Sequence, residues 1–154
     1  MTSSWSTGPF SFPGVVDIAE VAMPQFAEAF AAQLALPAVI FLCGDLGAGK
    51  TSFARCLLQS LGVSGSIKSP TYTLVETYVI ERGKVCHFDL YRLQEPSELE
   101  YLGARDLLAE SVLALVEWPQ RAAVDLPLPD WHIEFSHLDN SRRILTRKNG
   151  LQNA

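Results

Sequence analysis

The run Gly44-Asp45-Leu46-Gly47-Ala48-Gly49-Lys50-Thr51 fits the pattern G-x-x-x-x-G-K-[ST], and its flanks limit the fold more than any other stretch of the chain. Before it, Val39-Ile40-Phe41-Leu42-Cys43 reads as a buried strand; after it, Thr51 to Leu61 carries Phe53, Ala54, Leu57, Leu58 and Leu61 at helical spacing. Strand, glycine-rich loop and helix in that order make a phosphate-binding loop. A polyphosphate needs many donors at close range, and glycine lets backbone N–H groups approach it without a side chain in the way. Gly44, Gly47 and Gly49 would turn those amides inward, with Ala48 between them and Ser52 just beyond, while the helix starting near Lys50 adds the partial positive charge of its N-terminus. Lys50 would reach the β- and γ-phosphates, and the Thr51 hydroxyl would ligate Mg²⁺.

A chain of 154 residues with 48% hydrophobic content suits one domain, spanning 1–154, with a real core and one nucleotide site. Its small size points to a partner protein rather than to a second substrate pocket. The net charge of −5 argues against a chain that grips nucleic acid unaided, because neutralising phosphates needs a basic surface. Cys43, Cys56 and Cys86 are odd in number and lack C-x-x-C spacing, so they read as small core residues in a reducing compartment, not as a disulfide framework or zinc site. The longest apolar run, Ala35 to Cys43, is broken by Pro37, too short to cross a bilayer and too far along for a signal peptide. The expectation is a cytoplasmic protein with no membrane segment.

Along the chain, Met1 to Gly14 is rich in Ser, Thr, Pro and Gly and reads as loose, with Phe10-Ser11-Phe12 a candidate short edge strand. Asp17-x-x-Glu20 and Pro24 compete as starts of a helix whose apolar stripe is Phe26, Ala27, Phe30, Ala31 and Leu34. After Gly62 and Gly65, Tyr72 to Ile80 reads as a strand that turns at Arg82-Gly83-Lys84 into Val85 to Asp89, an antiparallel hairpin. Pro96 to Leu102 and Arg105 to Glu110 read as short helices, and Val112 to Val116 as a second buried strand. Trp131 to Phe135 and Arg143-Ile144-Leu145 could pair through Asp139-Asn140; from Lys148 the polar tail reads as frayed. The sum is an α/β, P-loop NTPase-like fold in three layers with a mixed, partly antiparallel sheet, its ligand at the carboxyl ends of the parallel strands.

Hydrolysis needs more than a phosphate loop, and two apolar strands end in a carboxylate where a Walker-B-type residue would face Mg²⁺. Val85 to Asp89 is one and Val112 to Glu117 the other. Either acid could hold the metal while the other orients the attacking water. Thr71, twenty residues after Thr51, lies where related nucleotide hydrolases carry a switch threonine that senses the γ-phosphate. His87 shares the strand face of Asp89 and reads as a supporting residue, not a base. Arg92 could pair with a carboxylate or face a partner or phosphate, and Trp118 could stack on a nucleotide base or anchor packing.

Taken in series, the phosphate loop, Ser69-Pro70-Thr71-Tyr72-Thr73-Leu74-Val75, His87-Phe88-Asp89-Leu90-Tyr91-Arg92-Leu93 and Glu117-Trp118-Pro119 resemble the TsaE (YjeE) family over about Pro24 to Arg143. Tyr72 and Ser52 are mild departures from its pattern. The resemblance implies a small ATPase that acts with TsaB and TsaD partners to make threonylcarbamoyladenosine beside the anticodon of tRNA, touching tRNA only through the complex. It implies that Thr51 and Glu117 hold Mg²⁺, that Asp89 is needed for ATP hydrolysis, that Thr71 belongs to a switch, and that Ser141-Arg142-Arg143 approaches the nucleotide. Lys50, Thr71, Asp89 and Glu117 are thus the expected catalytic set; Thr51, Asp89 and Glu117 the expected metal set; and Ser52, Trp118 and Arg142 join the loop in binding nucleotide.

Two other classes share the loop. A small-molecule kinase would need an acceptor pocket and an arginine-rich lid, and no lid insertion is visible. A nucleotide-gated interaction module would bind without turnover, which the two strand-end acids disfavour. No Asn-Lys-x-Asp run occurs to read guanine, so adenine is the expected base.

Overall fold

The computed structural model describes residues 10–149. Seven strands form one sheet: β1 (Gly14–Ile18), β2 (Ala38–Gly44), β3 (Val75–Ile80), β4 (Gly83–Asp89), β5 (Ser111–Glu117), β6 (Trp131–His137) and β7 (Arg142–Lys148). Their spatial order is β1-β7-β6-β2-β5-β4-β3. β6, β2, β5 and β4 run parallel, while the β3–β4, β6–β7 and β1–β7 pairs are antiparallel. The phosphate-loop strand β2 therefore sits centrally, and Gly44, Asp89 and Glu117 end neighbouring parallel strands at one edge of the sheet. That edge is where open α/β sheets bind ligands.

Strand alternation builds two cores. α1 (Met23–Gln33) and α2 (Lys50–Ser60) cover one face, where Phe26, Phe30, Phe53 and Leu57 meet Ile40, Leu42, Leu115 and Ile133. α3 (Ser97–Tyr101) and α4 (Ala104–Glu110) lie on the other, where Leu99 and Ala104 meet Cys86, Phe88, Ala114 and Val116. β2, β4 and β5 are thus buried on both faces, which is why they read as continuous apolar runs. Edge-to-face rings knit the first core: Phe30 lies 5.7 Å from Phe53 and 4.9 Å from Trp131. Such ring pairs add about 0.5–1.5 kcal/mol beyond the area they bury.

Several expectations shift. The N-terminal edge strand is Gly14–Ile18, not Phe10–Phe12; Phe10 and Phe12 instead pack as rings on Phe26, at 5.3 and 5.5 Å. Thr146 Oγ1 accepts the Gly14 N–H at 2.9 Å and ties β1 to β7. Asp17 starts no helix; it lies in β1, and α1 begins at Met23 with Pro24 in its first turn, where a missing N–H costs nothing. β3 begins at Val75 and not at Tyr72, because the Leu74 N–H closes a turn onto Pro70 O at 2.8 Å and Leu74 takes φ 69°. A left-handed leucine costs about 1–2 kcal/mol, and the ladder cannot extend through it. Gly14 and Lys148, read as loose ends, belong to β1 and β7; residues 1–9 and 150–154, expected to be flexible, lie outside the described residues. Among the described residues no helix is long and apolar enough to cross a membrane.

Candidate nucleotide site

The loop after β2 can turn only because of its glycines. Gly44 has φ 140°, and a β-carbon there would drive into the Phe135 carbonyl of the neighbouring strand. Gly49 has φ 120° and caps α2, and a β-carbon there would stand 2.8 Å from Arg142 Nη1. Both positions are closed to larger residues by conformation, and Gly44 by the neighbouring backbone as well.

Above the loop lies an open cleft of about 270 Å³ that gathers Gly47, Gly49, Lys50, Thr51 and Ser52 from the loop and α2. Thr71, Asp89, Glu117, Trp118 and Arg142 line it as well, brought from four separate segments. Gly44 and Ala48, expected to bind nucleotide, do not line it. Ala48 is fully buried and its N–H is engaged by Asp45 O at 3.1 Å, whereas Gly44 offers its carbonyl to Lys50.

Buried polar and charged side chains gather at and just beneath the cleft floor. Lys50, His87, Asp89 and Glu117 are each at most 6% exposed. Lys50 Nζ donates to the carbonyls of Gly44 and Asp45, the latter at 2.8 Å, and stands 4.7 Å above the Trp118 ring. Burial pulls its pKa down, against the opposing charges of Glu117 and Asp89. Thr51 Oγ1 donates to Glu117 Oε1 and Oε2 at 2.9 and 3.1 Å. Asp89 pairs directly across the strands with Glu117, and its Oδ1 accepts the Tyr91 N–H at 3.1 Å. Burial first, and the Glu117 charge second, push the Asp89 pKa up. Two registered carboxylates and a hydroxyl form a set of hard oxygen donors that could hold a divalent cation.

The Thr71 segment hangs beside these acids. Thr71 Oγ1 is 2.7 Å from Ser69 Oγ, and the segment is anchored by the Asp89 N–H to Leu74 O at 3.0 Å. Trp118 takes φ 59°, turning the chain sharply after β5, and its ring lies 5.0 Å from Tyr91. Arg142 and Arg143 part company because successive strand residues face opposite sides. Arg142 reaches Gly47 O at 3.3 Å, and Arg143 pairs with Asp17 at 2.8 Å. Arg92 finds no carboxylate among the described residues and lies 4.6 Å over the Tyr72 ring.

Sequence reasoning missed Glu20 and Tyr91. Glu20, read there as a helix-start signal, takes Arg142 Nη2 at 2.8 Å and the Ser52 hydroxyl at 3.0 Å. No local pattern could have linked residues so distant in the chain. His87 was legible from its place two residues before Asp89, but its bond to Glu117 at 2.7 Å was not.

The family model described as threonylcarbamoyl adenosine biosynthesis protein TsaE matches residues 19–145. Curated relatives carry the name tRNA threonylcarbamoyladenosine biosynthesis protein TsaE. That of Haemophilus influenzae is 45% identical over 106 residues, covering 69% of this chain and 67% of its own length. Those of Rickettsia bellii and Aquifex aeolicus are 39% and 40% identical over 121 residues, each covered to 83%. The crystal structure of Bacillus subtilus YdiB superposes with a TM-score of 0.70 at 25% identity, covering 93% of this chain and 91% of that one.

Proposed function

The chain belongs to the TsaE family, and from that premise we propose that it is an Mg²⁺-dependent ATPase whose nucleotide cycle drives tRNA threonylcarbamoylation. The observation that carries this reading is the convergence of Lys50, Thr51, Asp89 and Glu117 on one cleft above a glycine-rich loop. Mg²⁺, held by Thr51 Oγ1 and the Glu117 carboxylate, would offset the charge of the terminal phosphates. The chain's own groups do the rest. Lys50 leaves its two carbonyls for the phosphates, and the first amides of α2 face them with the helix dipole behind. Asp89, made more basic by burial and by Glu117, orients the attacking water and accepts its proton. The Thr71 hydroxyl, on a short turn at the cleft edge, senses the γ-phosphate and relaxes when it leaves.

Such a cycle does mechanical work on a complex and leaves carbamoyl transfer to other subunits, for which TsaB- and TsaD-like proteins are the partners proposed. tRNA is reached through that complex, in keeping with a net charge of −5, and the setting is cytoplasmic. The test is reconstitution of tRNA modification with those partners, comparing wild type with Lys50→Ala and Glu117→Ala, while assaying inorganic phosphate and any phosphorylated acceptor. Phosphate without a phosphorylated acceptor, and loss of modification in both variants, is the expected outcome. Full modification by both variants refutes the reading.

A further inference from the structure

His87, behind the cleft and in contact with Glu117, is the one buried polar residue there, among the described residues, that the proposed hydrolysis leaves without a task. It is 1% exposed, as is Glu117, and its Nε2 lies 2.7 Å from Glu117 Oε2. The bond is diagonal. In the β4–β5 register Leu115 stands opposite His87 and Asp89 stands opposite Glu117, so the imidazole reaches two residues forward to find the carboxylate. Nε2 carries the proton in this contact, because a carboxylate only accepts. The other ring nitrogen, Nδ1, is buried without any partner among the described residues. A side chain selected for packing would not strand a polar atom there; an apolar residue would fill the space at less cost.

We propose that His87 is a positioning residue, holding Oε2 of Glu117 so that Oε1 and Thr51 Oγ1 face the divalent cation together. The contacts divide the carboxylate in that sense. Oε2 receives His87 at 2.7 Å and Thr51 only at 3.1 Å, whereas Oε1 has Thr51 alone, at 2.9 Å. Imidazole suits the task, since it can donate one hydrogen bond without a fixed charge, where lysine or arginine would neutralise Glu117 and compete with the metal. Partners of this kind orient a ligand they do not replace, and their loss costs about 10–100-fold in metal affinity.

This inference rests on the nucleotide-site reading, and its test separates the two. Mn²⁺ serves as the probe, its binding to the protein–ADP complex measured by the fall in the free-ion EPR signal, with ADP affinity in EDTA measured alongside. Wild type binding neither ADP nor Mn²⁺ overturns the site reading and the inference with it. Given wild-type binding, His87→Leu, which keeps volume but no donor, should weaken Mn²⁺ about 10–100-fold while ADP affinity in EDTA stays within about two-fold. His87→Gln, which keeps an amide donor, should recover most of the loss. Unchanged Mn²⁺ affinity in folded His87→Leu overturns the inference. If circular dichroism shows that variant unfolded, His87→Asn, polar but too short to reach Glu117, carries the same two outcomes.

Discussion

Asp89→Asn should stabilise the ligand-free protein while it abolishes turnover. In the β4–β5 register the Asp89 and Glu117 carboxylates are directly opposed, and like charges so placed cost about 0.2–1 kcal/mol. Asparagine keeps the volume and the Oδ1 acceptor that the Tyr91 N–H uses at 3.1 Å, but removes the charge. For a domain of 154 residues, 1 kcal/mol corresponds to about 2–4 °C, so the variant should melt about 0.4–4 °C higher in EDTA at pH 7.5. The pH dependence has a fixed sign. The Asp89 pKa is raised in the folded protein, so the native state holds this proton to higher pH than the unfolded chain, and wild type loses stability as pH rises through the folded value. The advantage of Asn should therefore be smaller at pH 4 than at pH 7.5. Mg²⁺ with an unhydrolysable ATP analogue should shrink or reverse it, since a cation held by Thr51 and Glu117 would offset the repulsion between the acids. Thermal melts at the two pH values, with and without ligand, read all three effects. A variant that melts below wild type in EDTA at pH 7.5 would show that the two acids do not strain the empty cleft.

Gly49→Ala should lower nucleotide affinity about 10-fold or more with the circular dichroism spectrum intact, because φ 120° is hostile to alanine, at about 1–2 kcal/mol, and the new β-carbon meets Arg142 Nη1 at 2.8 Å. Equilibrium dialysis with labelled ADP measures it. Phe30→Ala should cost about 3–5 kcal/mol in urea unfolding, because Phe30 is fully buried against Phe12, Phe53 and Trp131. An unchanged midpoint would mean that this aromatic cluster does not hold α1 to the sheet.

The parts of the fold that the sequence made legible are those whose causes are local. The strand, loop and helix from Ala38 to Ser60 follow from an eight-residue motif, and the β3–β4 hairpin from Arg82-Gly83 between two apolar runs. What escaped depends on distant chain. Gly14–Ile18 is a strand because β7 lies beside it, with Gly14 paired to Thr146, and five residues alone carry no such signal. Leu74 leaves the strand conformation in a turn that its carbonyl anchors to the Asp89 amide, which no propensity of leucine foretells. In the site, Asp89 and Glu117 were readable as acids ending apolar strands, whereas their direct opposition required the parallel register. Glu20 was unreadable for the same reason: its partners Ser52 and Arg142 come from α2 and β7.

Calorimetric titration of an unhydrolysable ATP analogue with Mg²⁺ into wild type and Lys50→Ala tests the central claim most directly. Charge-assisted contacts of the kind Lys50 would make are worth about 1.5–3 kcal/mol, so one analogue should bind each wild-type chain and the variant should bind about 10–150-fold more weakly. Equal affinity in the two proteins, or no heat of binding to wild type, would contradict a phosphate site built on this loop.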